Sequence, residues 1–300
     1  MGHVEFGLIV PENPSNPPSR QGYLEALDRL LAHVKGHFAS AWCIDHLDGN
    51  VLEGWTVVAY LSALHPELVW GHTVLSNGFR NPALVAKMSA TLAFMSGGRY
   101  VLGIGAGGDA RDHLAYGYDF PRSGARVEAL DEALTIIRAM WTQEQATFTG
   151  SHHRITEARC EPKPVPPPPI AIGAFGPKML RLTARHADWW NVSSTAIDEY
   201  RALVDEVERA CDEVGRNPAT LRRVWSGGCA CAPTEVEVAK LAGDRLQVGE
   251  DFVGTPAQVI EQMQPFTDLG VDCFLLDCGG FPILTTVESL IDEVLPALNR

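Results

Sequence analysis

A glycine-rich turn is the first feature of the sequence that could carry chemistry. Gly103–Gly108 (GIGAGG) follows an apolar, strand-like run and has the G-x-G-x-x-G spacing of dinucleotide-binding turns. A Rossmann domain also needs a helix directly after the turn and an acidic residue about 20 positions on, at the end of a second strand. Here residues 109–120 intervene, and Glu128 and Asp131 fall inside a long helical pattern. The Rossmann interpretation is therefore the weakest one. Two alternatives remain: a turn without side chains that lets a planar ligand approach the backbone, and a glycine turn that binds no ligand.

Histidines and cysteines raise the question of a metal site. The candidates are His72, His113, the His152-His153 pair and the Cys229-Ala-Cys231 segment. None of these shows the His-x₃-His or Cys-x₂-Cys spacing of common metal ligands, so we predict no metal site. Most of the seven cysteines lie in apolar runs, which is typical of reduced core thiols in a cytosolic protein.

The elements that must position these residues alternate regularly along the chain. Eight apolar runs predict strands at residues 4–10, 38–44, 68–75, 100–105, 170–173, 188–192, 222–229 and 272–278. Helical patterns occupy residues 23–34, 53–64, 82–95, 124–141, 177–186, 197–214, 256–269 and 287–298. Such alternation predicts a parallel sheet with right-handed crossovers, and eight units close into a (β/α)₈ TIM barrel. We expect one domain over residues 1–300.

Two segments interrupt this alternation. A short hairpin is predicted near residues 146–156, followed by the proline-rich run at 161–169, which is expected to be an extended lead-in to the next strand. A further helical piece at 234–249 precedes the final unit. We interpret both as insertions in the barrel.

Charge and hydropathy exclude several classes of partner. A net charge of −13 argues against nucleic acid, because neutralising phosphates requires a basic surface. The first residues lack the pattern of a signal peptide, and no apolar run is long enough for a membrane span. The sequence thus predicts a cytoplasmic protein with a small-molecule partner.

A series of short motifs runs in order along most of the chain. They are RNPALVAK at 80–87, TLAFMSGGR at 91–99, LGIGAG at 102–107, YGYDFP at 116–121, RVEALDEAL at 126–134, PKP at 162–164, IGAFGP at 172–177, ARHAD at 184–188 with Asn191, VGTP at 253–256 and LGVD at 269–272. Together they resemble the bacterial luciferase-like oxidoreductases. The resemblance implies a (β/α)₈ barrel that uses FMN or F420, and the LEGW stretch at 52–55 favours F420.

The same resemblance implies where the cofactor lies. Asp45-His46 matches the pair that lies against the deazaflavin in F420-dependent members. His46 is expected to contact the ring near its reactive centre or to donate a proton, with Asp45 orienting it. Thr73-Val74 matches the position of a non-proline cis peptide behind the ring.

Two glycine-containing segments complete the expected cofactor site. Gly105, Ala106 and Gly107 would let backbone amides approach the cofactor. Gly173, Ala174, Phe175, Gly176 and Pro177 precede a helix, whose positive end would attract a phosphate.

One position departs from the family pattern. Members often carry an aromatic or acidic residue directly after the Gly-Ala-Gly turn, whereas this chain has Gly108 and then Asp109. Either Asp109 or Asp112 has taken over proton transfer, or the chemistry needs no acid there. An aspartate that opens a helix is also a common cap.

The sequence therefore predicts an F420-dependent oxidoreductase that transfers hydride between the deazaflavin and an organic small molecule. The alternatives are an FMN-dependent monooxygenase that activates O₂ and a non-catalytic flavin or F420 carrier. The substrate is not identified, since loops at 48–53, 111–124 and 146–159 are expected to set it. The oligomeric state stays open; members of the family are often homodimers, and the charge does not forbid one.

Overall fold

Eight parallel strands close into a barrel in the computed structural model, which describes residues 3–300. The strands of the chain are β1 Glu5–Ile9, β2 Ser40–Cys43, β3 Val69–His72, β4 Leu75–Ser76, β5 Tyr100–Gly105, β6 Ala146–Thr149, β7 Arg154–Ala158, β8 Ile170–Gly173, β9 Trp189–Ser193, β10 Arg222–Cys231, β11 Phe252–Gly254 and β12 Val271–Cys278. The barrel order is β1-β2-β3-β5-β8-β9-β10-β12, and β12 pairs with β1 to close it. The predicted (β/α)₈ barrel is confirmed.

Helices follow the strands and cover the outside of the barrel. They are α1 Arg20–Val34, α2 Gly54–Leu64, α3 Pro82–Ser96, α4 Ala110–Ala115, α5 Ser123–Thr142, α6 Pro177–His186, α7 Ile197–Glu213, α8 Glu235–Ala242, α9 Pro256–Asp268, α10 Thr285–Ser289 and α11 Leu295–Leu298. A π-helical turn at Leu290–Val294 joins the last two, which the sequence predicted as one helix. No helix within residues 3–300 is long and apolar enough to cross a membrane.

Local sequence signals fix where several helices begin and end. Asn81 accepts a hydrogen bond from the amide of Ala83 and caps α3, while Gly97 ends that helix with a φ of 65°. Thr255 and Gln258 form a capping box at α9. These caps satisfy backbone groups that the helix leaves free at its ends, and they place the loops at the barrel mouth.

Two apolar layers hold the barrel together. Alternate residues of β1, such as Phe6 and Leu8, pack in the cluster under the helices. Ile9 instead packs with Trp42, Val101 and residues of three further barrel strands in a separate cluster. Successive side chains of a strand point to opposite faces, so this second cluster fills the barrel interior.

The insertions and one strand differ in detail from the prediction. The hairpin forms as β6 and β7, as expected. The predicted helix at 234–249 is shorter, because α8 ends at Ala242 and a third extra element, β11, pairs with β10. The predicted strand at 68–75 divides into β3 and β4, which are separated by Thr73-Val74.

Candidate active site

A cavity of 520 Å³ opens where the barrel strands end. Residues at or near the C-terminal ends of β2, β3, β5, β8 and β9 line it, together with Ser226 of β10 and residues of α4 and α5. Catalytic sites of (β/α)₈ barrels lie at this end. The cavity is therefore the candidate active site.

The structure brings most of the predicted site residues together in this cavity. Its lining includes Asp45, His46, Thr73, Val74, Gly105, Ala106, Gly107, Asp109, Gly173, Phe175 and Gly176. Ala174 and Pro177 are not among the lining residues. Ala174 is buried, and its amide donates a hydrogen bond to the carbonyl of Asn191. It therefore fixes the backbone between β8 and α6 without facing the cavity. Pro177 is the first residue of α6.

The back of the cavity is a bulge in the third barrel strand. The Thr73-Val74 peptide is cis, as the sequence predicted. Val74 projects between two strand-end glycines: a Cβ at Gly105 would lie 2.9 Å from Val74 Cγ2, and a Cβ at Gly173 would lie 3.2 Å from it. Both glycines therefore make room for a side chain of the protein itself. Packing against Val74 is thus a second reason for glycine at position 105, beside the predicted approach of the cofactor.

Asn191 supplies an unpaired polar atom beside this bulge. Its Nδ2 donates to Thr73 Oγ1 at 3.0 Å. Its Oδ1 is buried and finds no hydrogen-bond partner among residues 3–300. A buried acceptor without a partner is costly, and Asn191 lines the cavity, so a ligand N–H or O–H would satisfy it. The sequence comparison included Asn191 in a motif but did not assign it to the site.

His46 stands at one side of the cavity with a carboxylate behind it. Its Nδ1 lies 3.4 Å from Glu12 Oε2, and its side chain is 49% exposed. Glu12 also accepts a hydrogen bond from the amide of Ile44 at 3.1 Å, which fixes the carboxylate. The contact with Glu12 raises the pKa of His46 above its ordinary value, although partial burial opposes this. The imidazole can therefore hold and release a proton.

Glu12 is a site residue that the sequence reasoning missed. It lies two residues after the first predicted strand, much as Asp45-His46 comes after the second. Acidic residues at strand ends meet at one end of a barrel, so this position was the available signal.

Asp45 has a different role from the predicted one. Its two carboxylate oxygens accept hydrogen bonds from the Arg80 guanidinium, both at 2.8 Å, and Oδ2 also accepts from the amide of Ser76. Arg80 in turn bonds Glu53 at 2.6 Å. Asp45 therefore joins the ends of the second and third barrel strands, and the carboxylate beside His46 belongs to Glu12.

Asp109 and Asp112 both line the cavity, and each makes a bond to a backbone amide. Asp109 caps α4 by accepting from the amide of Arg111 at 2.7 Å. Asp112 is buried and accepts from the amide of Leu47 at 3.1 Å. The helix cap, one of the two sequence interpretations of Asp109, is thus present.

Ser76 and His113 form a second hydrogen-bonded pair in the lining. His113 Nδ1 lies 2.6 Å from the carbonyl of Asp109, which can only accept, so Nδ1 carries the proton. In the neutral imidazole Nε2 then accepts from Ser76 Oγ, at 3.1 Å. Gly107 passes close by with a φ of 85°, and a Cβ there would lie 2.7 Å from Ser76 Oγ. When Ser76 donates in this way, its oxygen can still accept a hydrogen bond from a ligand in the cavity.

The opposite side of the cavity offers an anion site. Gly176 precedes α6, and no side chain caps this helix. Backbone N–H groups of its first turn therefore remain available to donate hydrogen bonds to a ligand. Arg126 lines the cavity nearby, held by a bond from Nε to the carbonyl of Gly107 at 3.1 Å and by stacking on Phe120 at 3.9 Å. Open amides, a helix N-terminus and a guanidinium together suit a phosphate.

These features fit a flavin-type cofactor. Val74 offers an apolar surface for a planar ring, Asn191 Oδ1 offers an acceptor for a ring N–H, and the start of α6 offers a phosphate site. His46 lies where a proton could be exchanged with a substrate.

Comparison with known proteins points the same way. Residues 4–252 match the family model described as luciferase-like monooxygenase. The chain is 31% identical over 308 residues to the F420-dependent hydroxymycolic acid dehydrogenase of Mycobacterium tuberculosis, covering 91% of this chain and 85% of that protein. It is 29% identical over 320 residues to the F420-dependent glucose-6-phosphate dehydrogenase of Intrasporangium calvum, covering 93% and 96%.

A solved structure shares the fold over its whole length. An F420-dependent secondary alcohol dehydrogenase in complex with an F420–acetone adduct superposes with a TM-score of 0.85 and covers 100% of both chains. Its sequence identity is 18%, so this likeness concerns the fold.

Proposed function

The chain belongs to the luciferase-like monooxygenase family, and from that premise we propose that it is an oxidoreductase that transfers hydride between coenzyme F420 and an organic small molecule. The observation that carries the proposal is the His46–Glu12 pair, held at 3.4 Å beside the cavity that Val74 and Asn191 shape. A hydride transfer to or from a carbon–oxygen group needs a proton donor or acceptor in that place. The names of the two relatives favour F420 over FMN.

The residues of this chain divide the work. Val74 would support the ring, and Asn191 Oδ1 would accept a hydrogen bond from a ring N–H. The amides at the start of α6 and Arg126 would hold the phosphate. When bound, F420 supplies a ring carbon that accepts or gives a hydride. His46 takes the proton from a substrate hydroxyl during oxidation and returns it during reduction, and Glu12 stabilises the imidazolium.

Proton transfer is assigned to His46 rather than to Asp109. The Asp109 carboxylate is occupied as the cap of α4. His46 has a ring nitrogen left over after its contact with Glu12 and lines the cavity. A carrier that only stores the cofactor would need no such pair, so this feature supports an enzyme.

We further propose that the protein works in a reducing compartment such as the cytoplasm. Its seven cysteines are all free and buried. Unpaired thiols in this number are typical of such a compartment.

The assignment of His46 is tested with His46→Ala. We expect turnover of F420 with an alcohol or ketone substrate to fall by about tenfold or more, while the dissociation constant of F420, measured by fluorescence quenching, changes far less. His37→Ala, at an exposed position away from the cavity, is the matched control. Wild-type turnover in His46→Ala would remove His46 from the reaction.

A further inference from the structure

A second cavity, of 450 Å³, lies beside the first at the same end of the barrel. The loop after β1, the end of β12 and residues at the end of α8 bound it. Ile44 lines both cavities, and the His46–Glu12 pair bridges them, because His46 lines the first and Glu12 the second. A molecule in the second cavity would reach the proton-transfer pair while the first holds the cofactor.

The walls of this second cavity combine apolar side chains with a smaller number of polar ones. Val51, Leu241 and Phe281 are among the apolar side chains that line it. Apolar walls with a few placed polar groups are typical of small-molecule sites.

The charges at the rim restrict which molecules can enter. The cavity is lined by two carboxylates, Glu12 and Asp277, and by one guanidinium, Arg245. Arg245 is paired with Asp277, so its charge is already neutralised. Burial raises the pKa of the Cys278 thiol, which therefore stays protonated and adds no charge. With His46 neutral, as it is before it takes the proton from an alcohol, an anionic substrate would find no unpaired cation among these groups and would be repelled by Glu12.

Resting on the proposed function, we propose that this second cavity holds the non-reacting part of the substrate, and that the Arg245–Asp277 pair selects an uncharged, largely apolar alcohol or its ketone. In the oxidation, the carbinol C–H bond breaks and its hydride passes to oxidised F420. The O–H proton passes to His46, and the carbon–oxygen bond becomes double.

A matched pair of alcohols tests the selection. 2-Octanol and 7-hydroxyoctanoate have the same chain length and differ at the far end in a methyl group against a carboxylate. We expect the wild type to oxidise 2-octanol with a kcat/KM at least about tenfold higher. Equal use of the two, a preference for the carboxylate, or turnover of neither while F420 is bound would overturn the proposal.

Variants locate the selection in the second cavity. Asp277→Asn frees Arg245, so kcat/KM for 7-hydroxyoctanoate should rise by about fivefold or more, and adding Arg245→Met should abolish that gain. Val51→Trp, on a loop of the cavity wall, should lower kcat/KM for 2-octanol by about fivefold or more. Val248→Trp, the same change at an exposed position outside both cavities, should not.

F420 fluorescence quenching, recorded for each variant, separates this proposal from the proposed function. Absence of quenching in the wild type would contradict the proposed function itself. Normal quenching with unchanged kcat/KM in Val51→Trp, or with no carboxylate gain in Asp277→Asn, would overturn only the assignment of the second cavity.

Discussion

At the scale of single residues, the contact between His46 and Glu12 predicts how activity depends on pH. Glu12 raises the pKa of His46, so its imidazolium persists to higher pH than usual and is lost as the pH rises through that raised value. In Glu12→Gln the pKa returns toward its ordinary value. We expect the pH profile of kcat/KM for ketone reduction, which needs the imidazolium, to move its falling limb to lower pH. Glu25→Gln, on the outer face of α1, is the control, and an unmoved limb in Glu12→Gln would contradict the pairing.

Asn191 gives a second prediction at this scale. Its Oδ1 is buried without a partner among residues 3–300, so a cofactor N–H should pair with it. In Asn191→Leu the dissociation constant of F420 should rise by about five- to a hundredfold, the equivalent of a lost hydrogen bond of about 1–3 kcal/mol. Fluorescence quenching measures the affinity, and a cooperative thermal unfolding transition shows that the variant is folded. Unchanged affinity would mean that the ligand leaves Oδ1 unpaired.

The sequence and its family resemblance predicted which strand-end residues line the cavity but not how their side chains pair. Asp45, His46 and Thr73-Val74 all lie in the cavity lining, since strand ends of a barrel converge at one end. The partner of His46 was not predicted correctly, because Asp45 and Glu12 are both carboxylates near it. The position of Arg80 in the structure decides between them: its guanidinium binds the Asp45 carboxylate, which leaves Glu12 as the partner of His46.

At the scale of elements, the close approach of β3, β5 and β8 depends on glycine. A Cβ at Gly105 would lie 2.9 Å from Val74 Cγ2, too close without a shift. Gly105→Ala should therefore lower the free energy of unfolding by about 1–3 kcal/mol. Gly108→Ala is the matched control, because a Cβ there meets nothing within 4 Å, and its effect should stay within about 0.5 kcal/mol. Urea unfolding measures both, and equal stabilities would contradict the packing around Val74.

The alternation of strands and helices was predictable because hydrophobic period and caps are local signals. The strand β11 was not predicted: Phe252–Gly254 is three residues long and forms only by pairing with β10. The predicted strand at 68–75 divides at Thr73-Val74, where the family resemblance, but not the strand pattern itself, indicated an irregular peptide. Short or interrupted elements depend on tertiary neighbours rather than on their own sequence.

At the scale of the whole molecule, the seven buried cysteines allow the packing of the protein to be tested. Burial raises the pKa of every one of them, so each is both inaccessible and protonated. We expect a thiol-reactive reagent such as dithionitrobenzoate to label the native protein very slowly and to label all seven cysteines after denaturation. Rapid labelling of the native protein would contradict the packing described for the barrel. The homodimer stays a prediction.

The proposal that the cavity at the barrel mouth binds F420 is tested most directly by measuring the binding of F420 and of FMN side by side. The purified protein should quench F420 fluorescence on titration and bind F420 at least about tenfold more tightly than FMN, a difference of about 1.4 kcal/mol. Retention of FMN with no quenching of F420 would contradict the account.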